Sequence, residues 1–232
     1  EGGQNEINHA RIRNGFIGIQ AEVLPFDDPP YGPSSLRITN TTIENCSGFG
    51  LLSSIFNVRA ENLVISNSGQ YNMVLRSAGN YDFYHCTFAN YFADAARETP
   101  SVLIQNSFIT ANNTQVIGEP QVGVYNSIIY GNLDNEFSTE IINNGSIALD
   151  FRSVILQTTQ STGDTTQFKS IIRNPADQIF TNPQERDFTL SETSLARDQG
   201  DLNIANIVPL DIQENSRTAD GMPDLGAYEF TP

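Results

Sequence analysis

Apolar and polar positions follow a repeating phrase along the chain. It reads Asn40-Thr41-Thr42-Ile43-Glu44-Asn45, then Asn62-Leu63-Val64-Ile65-Ser66-Asn67 and His85-Cys86-Thr87-Phe88-Ala89-Asn90. Further copies are Asn106-Ser107-Phe108-Ile109-Thr110-Ala111 and Asn126-Ser127-Ile128-Ile129-Tyr130-Gly131, with weaker ones starting at His9 and Arg152. The leading positions 9, 40, 62, 85, 106, 126 and 152 are spaced 31, 22, 23, 21, 20 and 26 residues apart. A period in this range, carried by β-forming residues, predicts stacked coils. Between the phrases the chain alternates, as in Leu36-Arg37-Ile38-Thr39 and Val122-Gly123-Val124-Tyr125. Period-two alternation sends one set of side chains inward and the other outward.

The slot three after the leading residue holds Ile12, Ile43, Ile65, Phe88, Ile109, Ile129 and Ile155, and predicts one interior column. The slot directly after it is mostly small: Ala10, Thr41, Leu63, Cys86, Ser107, Ser127 and Ser153. Asparagine at a bend tolerates left-handed backbone angles. Its amide can also bond the backbone or an identical amide one coil away. Asn14, Asn45, Asn67 and Asn90 mark a second bend of the same kind. His9 and His85 occupy the leading slot and read as bend residues in place of Asn. No long stripe at helical spacing is present. The expected fold is therefore all-β: a right-handed parallel β-helix solenoid of about seven coils over 1–168, with an irregular C-terminal cap over 169–232. Surplus residues in the first and last intervals predict extruded loops at 24–35, where four prolines exclude a central strand, and at 134–146.

Composition narrows function more than fold. The 232 residues carry a formal charge of −15. That charge excludes nucleic acid, whose phosphates require Lys and Arg, and disfavours acidic polysaccharides unless calcium reverses the local sign. No run is long and apolar enough to cross a membrane as a helix. No leader is visible, and a repeat copy starts at His9, so upstream coils and any lipid anchor are expected to be missing from the sequence. Cys46 and Cys86 fall in different slots two coils apart and read as buried fillers.

After Lys169 the repeat fades into a different segment. Phe180, Asp187-Phe188-Thr189-Leu190, Ser194, Ala196, Asp198-Gln199-Gly200 and Asp224-Leu225-Gly226-Ala227-Tyr228-Glu229 resemble the C-terminal pattern of right-handed parallel β-helix proteins of the choice-of-anchor type, abundant in Bacteroidota. Leu195 and Arg197 depart from it, where Pro and Ile are usual. The resemblance implies the fold and an extracytoplasmic setting: cell surface, outer membrane or secreted, with membrane contact only through a missing N-terminal lipid anchor. It implies no single activity, because β-helices host lyases, hydrolases, adhesins and envelope subunits.

Physically, such a tail can cover the open end of a solenoid. Asp198, Asp201, Asp220 and Asp224 would cap its turns, and Gly200, Gly221 and Gly226 would take positive φ. No cofactor is implied. Structural calcium is the one candidate, at Asp220 and Asp224.

The constellations of β-helix pectate lyases and polygalacturonases do not occur. Asp27-Asp28 is the sole Asp-Asp pair and lies in the proline-rich segment. The remaining cluster is Arg76, Asp82, Tyr84, Tyr91, Phe92, Asp94, Arg97 and Glu98. In it Asp94, Arg97 and Glu98 are the catalytic candidates, and Arg76, Tyr84 and Tyr91 the ligand-binding ones; the plainer reading is surface salt bridges with aromatics packed beneath a loop. The leading expectation is a non-catalytic scaffold offering a rigid surface to an envelope protein or an extracellular glycan. The alternatives are a polysaccharide lyase or glycoside hydrolase, and a glycan-binding module whose Tyr71, Tyr84 and Tyr91 form an open platform.

Overall fold

The computed structural model describes residues 3–26, 34–176 and 178–231. The protein is all-β. In chain order the strands are β1 (Gln4–Asn8), β2 (Arg11–Arg13), β3 (Ile17–Glu22), β4 (Ser35–Glu44), β5 (Phe49–Ser54) and β6 (Asn57–Ser66). There follow β7 (Tyr71–Arg76), β8 (Asn80–Tyr84), β9 (Thr87–Asn90), β10 (Val102–Gln105), β11 (Ser107–Ile109) and β12 (Gln115–Ile117). The last are β13 (Gln121–Gly131), β14 (Phe137–Glu140), β15 (Ala148–Leu156), β16 (Phe168–Arg173), β17 (Phe180–Asn182) and β18 (Asp187–Leu190). A 3-10 turn spans Pro183–Glu185, and a short α-helix is α1 (Leu202–Ala205).

The first sheet is parallel in the order β1-β4-β6-β8-β13-β15-β16, with β2 and β9 continuing the β1 and β8 rows. The second is parallel in the order β14-β10-β7-β5-β3. The chain passes alternately between the two sheets from β1 to β15. Their facing sides enclose one core, and its residues are in register from row to row. One column runs Ile12, Ile43, Ile65, Phe88, Ile129 and Leu156. A second runs Ile7, Ile38, Ala60, Phe83, Val124, Phe151 and Phe168. The second sheet answers with Ile19, Leu51, Met73, Val102 and Phe137. Each fully buried side chain of this size stabilises the fold by about 1.5–3 kcal/mol.

The rows of the first sheet turn at one corner. His9, Asn40, Asn62, His85, Asn126, Ser153 and Ser170 all have φ between 45° and 54°. This is the left-handed region, costly for most residues and least so for Asn. Side chains then link the rows. Asn62 Nδ2 donates to Asn40 Oδ1 at 2.8 Å, and at the next bend Asn45 Nδ2 donates to Asn14 Oδ1 at 2.7 Å. Both histidines occupy this corner, as their slot predicts. Both cysteines are buried and free.

The corner corrects two alignments. Its sixth member is Ser153, not Arg152, so the interior column continues through Leu156 while Ile155 faces outward beside Ile128. Asn106 is not a corner of the first sheet. It follows β10 of the second sheet and binds both the N–H and the C=O of Ile142. The phrase it opens forms the antiparallel hairpin β11–β12, and Ile109 there is 63% exposed. His85 and Asn126 are consecutive corners 41 residues apart.

The predicted loop 134–146 contains β14, a paired strand of the second sheet. Of the predicted loop 24–35, residues 27–33 lie outside the described residues, Asp27-Asp28 included. Parallel pairing continues through β16, so the rows extend past residue 168 to Arg173.

Among the described residues no tail strand pairs with β16; β17 and β18 pair only with each other. Instead the tail lies along the flank beside the corner. Phe180, Phe188, Leu190, Ala196, Leu225 and Ala227 pack on Val64, Ala89, Ile128 and Ile155. The outward column in these rows turns from Arg11 and Thr42 to Val64, Thr87, Ile128, Ile155 and Ile172, and the apolar tail residues pack on this part of it. Corner amides also hold the tail. Asn126 Oδ1 accepts from Asp201 N and its Nδ2 donates to Asp201 O; Asn62 Nδ2 donates to Leu210 O.

Arg217 is fully buried and donates to Glu229 Oε1 and to Asn62 Oδ1, both at 2.7 Å. Burial pushes Glu229 up to about 8 and lowers Arg217. Removing Glu229 would leave the buried Arg217 guanidinium without its carboxyl partner, a loss of about 3–5 kcal/mol. Gly221 and Gly226 do take positive φ, but beside Gly200 it is Asp198 that turns left-handed, at 58°. Gly200 serves close approach: a Cβ there would come within 2.7 Å of Pro223 O.

His85 is wholly buried, with Nε2 3.1 Å from Asn126 Nδ2. Burial, reinforced by Arg217, holds its pKa well below 6.5. The unfolded chain therefore takes up a proton below about pH 6.5 that the folded chain refuses. The stability His85 supports is present above that pH and lost as pH falls through it, at no more than about 1.4 kcal/mol per pH unit. His85→Asn, which suits the left-handed corner, is expected to fold and to remove this slope. Urea unfolding of both proteins between pH 7 and pH 5 reads the difference and cancels Glu229, whose raised pKa acts in the opposite direction. Parallel pH profiles would contradict the assignment.

Candidate ligand-binding surface

The half of each first-sheet row before the corner presents its outward side chains in open register. Three residues before the corner stand Glu6, Arg37, Arg59, Asp82, Gly123 and Asp150. One residue before it stand Asn8, Thr39, Glu61, Tyr84, Tyr125 and Arg152. Amides mark the strand starts, and Asn57 Oδ1 accepts from Asn80 N at 2.9 Å. A groove of about 640 Å³ crosses rows one to four over Glu6, Arg37, Arg59, Asn80 and Asp82. It meets a second hollow of about 460 Å³ over Asn80, Asp82, Gly123, Tyr125 and Asp150. Beside Arg37 and Glu61, the tail residues Ile207 to Asp211 form the wall of a third, about 380 Å³.

Charges along the groove are largely paired, across rows at Arg37 and within a row at Arg59 and Arg152. Arg37 bonds Glu6 at 3.3 Å and Glu61 at 2.8 Å, Arg59 bonds Glu61 at 2.7 Å, and Arg152 bonds Asp150 at 2.8 Å. Among the described residues Asp82 makes no hydrogen bond or ion pair. Burial raises its pKa, Arg59 opposes this, and the charge of Asp150 adds to it. Between the two acids Tyr125 lies across Gly123, where a Cβ would meet Tyr125 Oη at 2.3 Å. Tyr125 Oη donates to Asp150 Oδ2 at 3.3 Å. Burial first, then the two carboxylates, push its pKa up.

Tyr84 and Tyr125 stack on each other at 4.9 Å, and the Arg59 guanidinium lies 4.5 Å above Tyr84. Tyr71 stacks on Phe49 on the second sheet, and Tyr91 packs against Phe180 and Phe188 of the tail. The three tyrosines expected to form one platform lie on three different surfaces.

The remaining sequence candidates also separate. Arg76 is on the second sheet, bonded to Glu22 and Ser54 at 2.7 Å and 4.3 Å above the Phe108 ring. Asp94 and Glu98 are exposed on the connection after β9, away from the groove. Arg97, between them in sequence, is buried. It donates to both Glu136 oxygens at 2.6 and 2.8 Å, to Asn132 Oδ1, and to the carbonyls of Asn90 and Thr99. This places the Arg97 guanidinium inside a structural clamp, out of reach of an external substrate. Burial pushes the Glu136 carboxyl up, against the pull of Arg97. Asp220 is exposed, whereas Asp224 is buried and accepts from Asp198 N and Phe230 N. Among the described residues no group of three or more metal-binding side chains comes together.

Arg59, Glu61, Gly123, Tyr125 and Asp150 escaped the sequence reading. Their signal was a fixed offset from the corner residue, hidden at Asp150 by the one-residue misalignment at Arg152. In comparisons with known proteins, the chain matches no family model, and no curated protein matches it.

The clamp predicts unequal effects for three neighbouring residues. Arg97→Ala should cost about 3–5 kcal/mol of unfolding free energy, because Glu136 is left buried and unpaired. Asp94→Ala and Glu98→Ala should stay within about 0.5 kcal/mol. Denaturant titration of the three variants checks this, and a neutral Arg97→Ala would refute the clamp.

Proposed function

We propose that the protein is a right-handed parallel β-helix of about seven coils with an irregular C-terminal segment, and that it works as a non-catalytic extracytoplasmic scaffold. The alternation of the chain between two in-register parallel sheets supports the winding. The resemblance of the tail to choice-of-anchor proteins supports a surface or envelope setting.

The observation that carries the scaffold reading is how the charged groups are used. Arg97 with Glu136 and Arg217 with Glu229 are buried in clamps, and the arginines of the open wall are paired with acidic side chains of their own or neighbouring rows. Such a wall is stiff and preorganised, which lowers the ordering cost of binding an extended protein or glycan. A second reading, a polysaccharide lyase or glycoside hydrolase, draws on Asp82 and Asp150, two carboxylates flanking Tyr125 in alternate rows.

An assay for new reducing ends and unsaturated products on a broad polysaccharide panel separates the two. The scaffold gives none above a heat-denatured control. Turnover that disappears in a folded Asp150→Asn variant would establish the enzyme instead.

A further inference from the structure

The ligand chemistry of the open wall can be narrowed from its unpaired groups, on the premise that this wall is the binding surface. Over rows two to four the groove lies on the face of a sheet whose backbone is already paired on both sides, so main-chain pairing with a peptide is confined to the outer edge of β1. Its outward side chains are polar and charged, and the rings of Tyr84 and Tyr125 stack on each other, so it offers no apolar pocket for peptide side chains. What it presents is a line of amides and ion pairs, groups that suit a polymer rich in hydroxyls.

The sign of the charge is also decided. Arg37 and Arg59, the arginines in the groove, are already committed to Glu6 and Glu61. A uronate or sulfate would find no free cation there and would meet a chain of net charge −15. Asp82 is the opposite case: a half-buried carboxylate with no hydrogen bond or ion pair among the described residues, at the junction shared by both hollows, its opposed cation Arg59 being bonded to Glu61 instead. Asp150 stands two rows away on the same outward column, roughly 10 Å along the stack.

We propose that this groove binds an extended glycan bearing free amino groups, with Asp82 receiving a ligand ammonium and Asn57 and Asn80 bonding neighbouring hydroxyls.

Calorimetric titration with glucosamine and galacturonate hexamers at about pH 6 tests the proposal. The glucosamine oligomer is expected to bind and the galacturonate oligomer not to. Asp82→Asn, which sacrifices no internal bond and so leaves the fold intact, should weaken glucosamine binding about tenfold, the loss of one charge-assisted contact. Asn80→Ala should weaken it by a smaller factor, and Glu185→Gln, away from the groove, should not change it. Equal affinity in Asp82→Asn would overturn the proposal while leaving the wall as a binding surface. Galacturonate binding as tight as glucosamine binding would overturn it too. So would binding of a lysine-rich peptide with no glycan binding, which would make the partner a protein. Failure of the scaffold reading shows separately, as turnover on the polysaccharide panel.

Discussion

One backbone conformation, a left-handed residue at the same point of every first-sheet row, fixes the register of this protein. Seven residues from His9 to Ser170 adopt it, and each bends its row so that the next stretch lies over the same stretch of the row beneath. Once the corners coincide, hydrogen bonding between rows follows and identical offsets carry identical burial. Asparagine dominates because it tolerates the angle and can bond the next corner or the tail. His85 satisfies the angle at the cost of a buried imidazole that must stay neutral. The same amides at Asn62 and Asn126 also receive the tail, so turning the chain and docking its end depend on one set of groups.

Fixed register divides the outward surface into two parts with different uses. After the corner, the rows from Val64 onward carry an apolar column that the tail covers, and the buried Arg217–Glu229 pair locks that cover in place. Before the corner, the outward columns stay polar and open. There Arg37 bridges Glu6 and Glu61 across rows, Arg59 bonds Glu61 and Arg152 bonds Asp150 within theirs, and the Asp82 carboxylate is left over. The proposed binding wall and the tail are thus opposite halves of the same strands, separated by the corner.

Much of this was legible because the corner has a strong residue preference. Asn40, Asn62, Asn126 and both histidines could be placed from sequence, and with them most of the interior column. The failures have one physical origin: a short polar-apolar phrase does not say which sheet it belongs to. Asn106 carries the same phrase but follows a second-sheet strand and opens a hairpin, so Ile109 ends in solvent. Serine is a weaker corner signal, and at Ser153 the frame slipped by one residue, which moved Ile155 to the wrong face and hid Asp150. The candidate cluster failed differently. Asp94, Arg97 and Glu98 are close in sequence, but burial of Arg97 depends on Glu136, which is 39 residues away. The tail's position on the flank was legible only after aligning Val64, Ile128, Ile155 and Ile172, a column the search for inward residues passed over.

Cross-linking tests the register most directly. Arg37 and Arg59 are directly opposed in adjacent rows and both point outward. Their Cα atoms should lie about 4.8 Å apart, within disulfide range, whereas Arg37 and Glu61 are offset by two residues and roughly 8 Å apart, beyond it. Mild oxidation should therefore close a disulfide in Arg37→Cys/Arg59→Cys and not in Arg37→Cys/Glu61→Cys, as read by mass spectrometry after proteolysis. Efficient closure of the offset pair, with the opposed pair left reduced, would contradict the in-register stack.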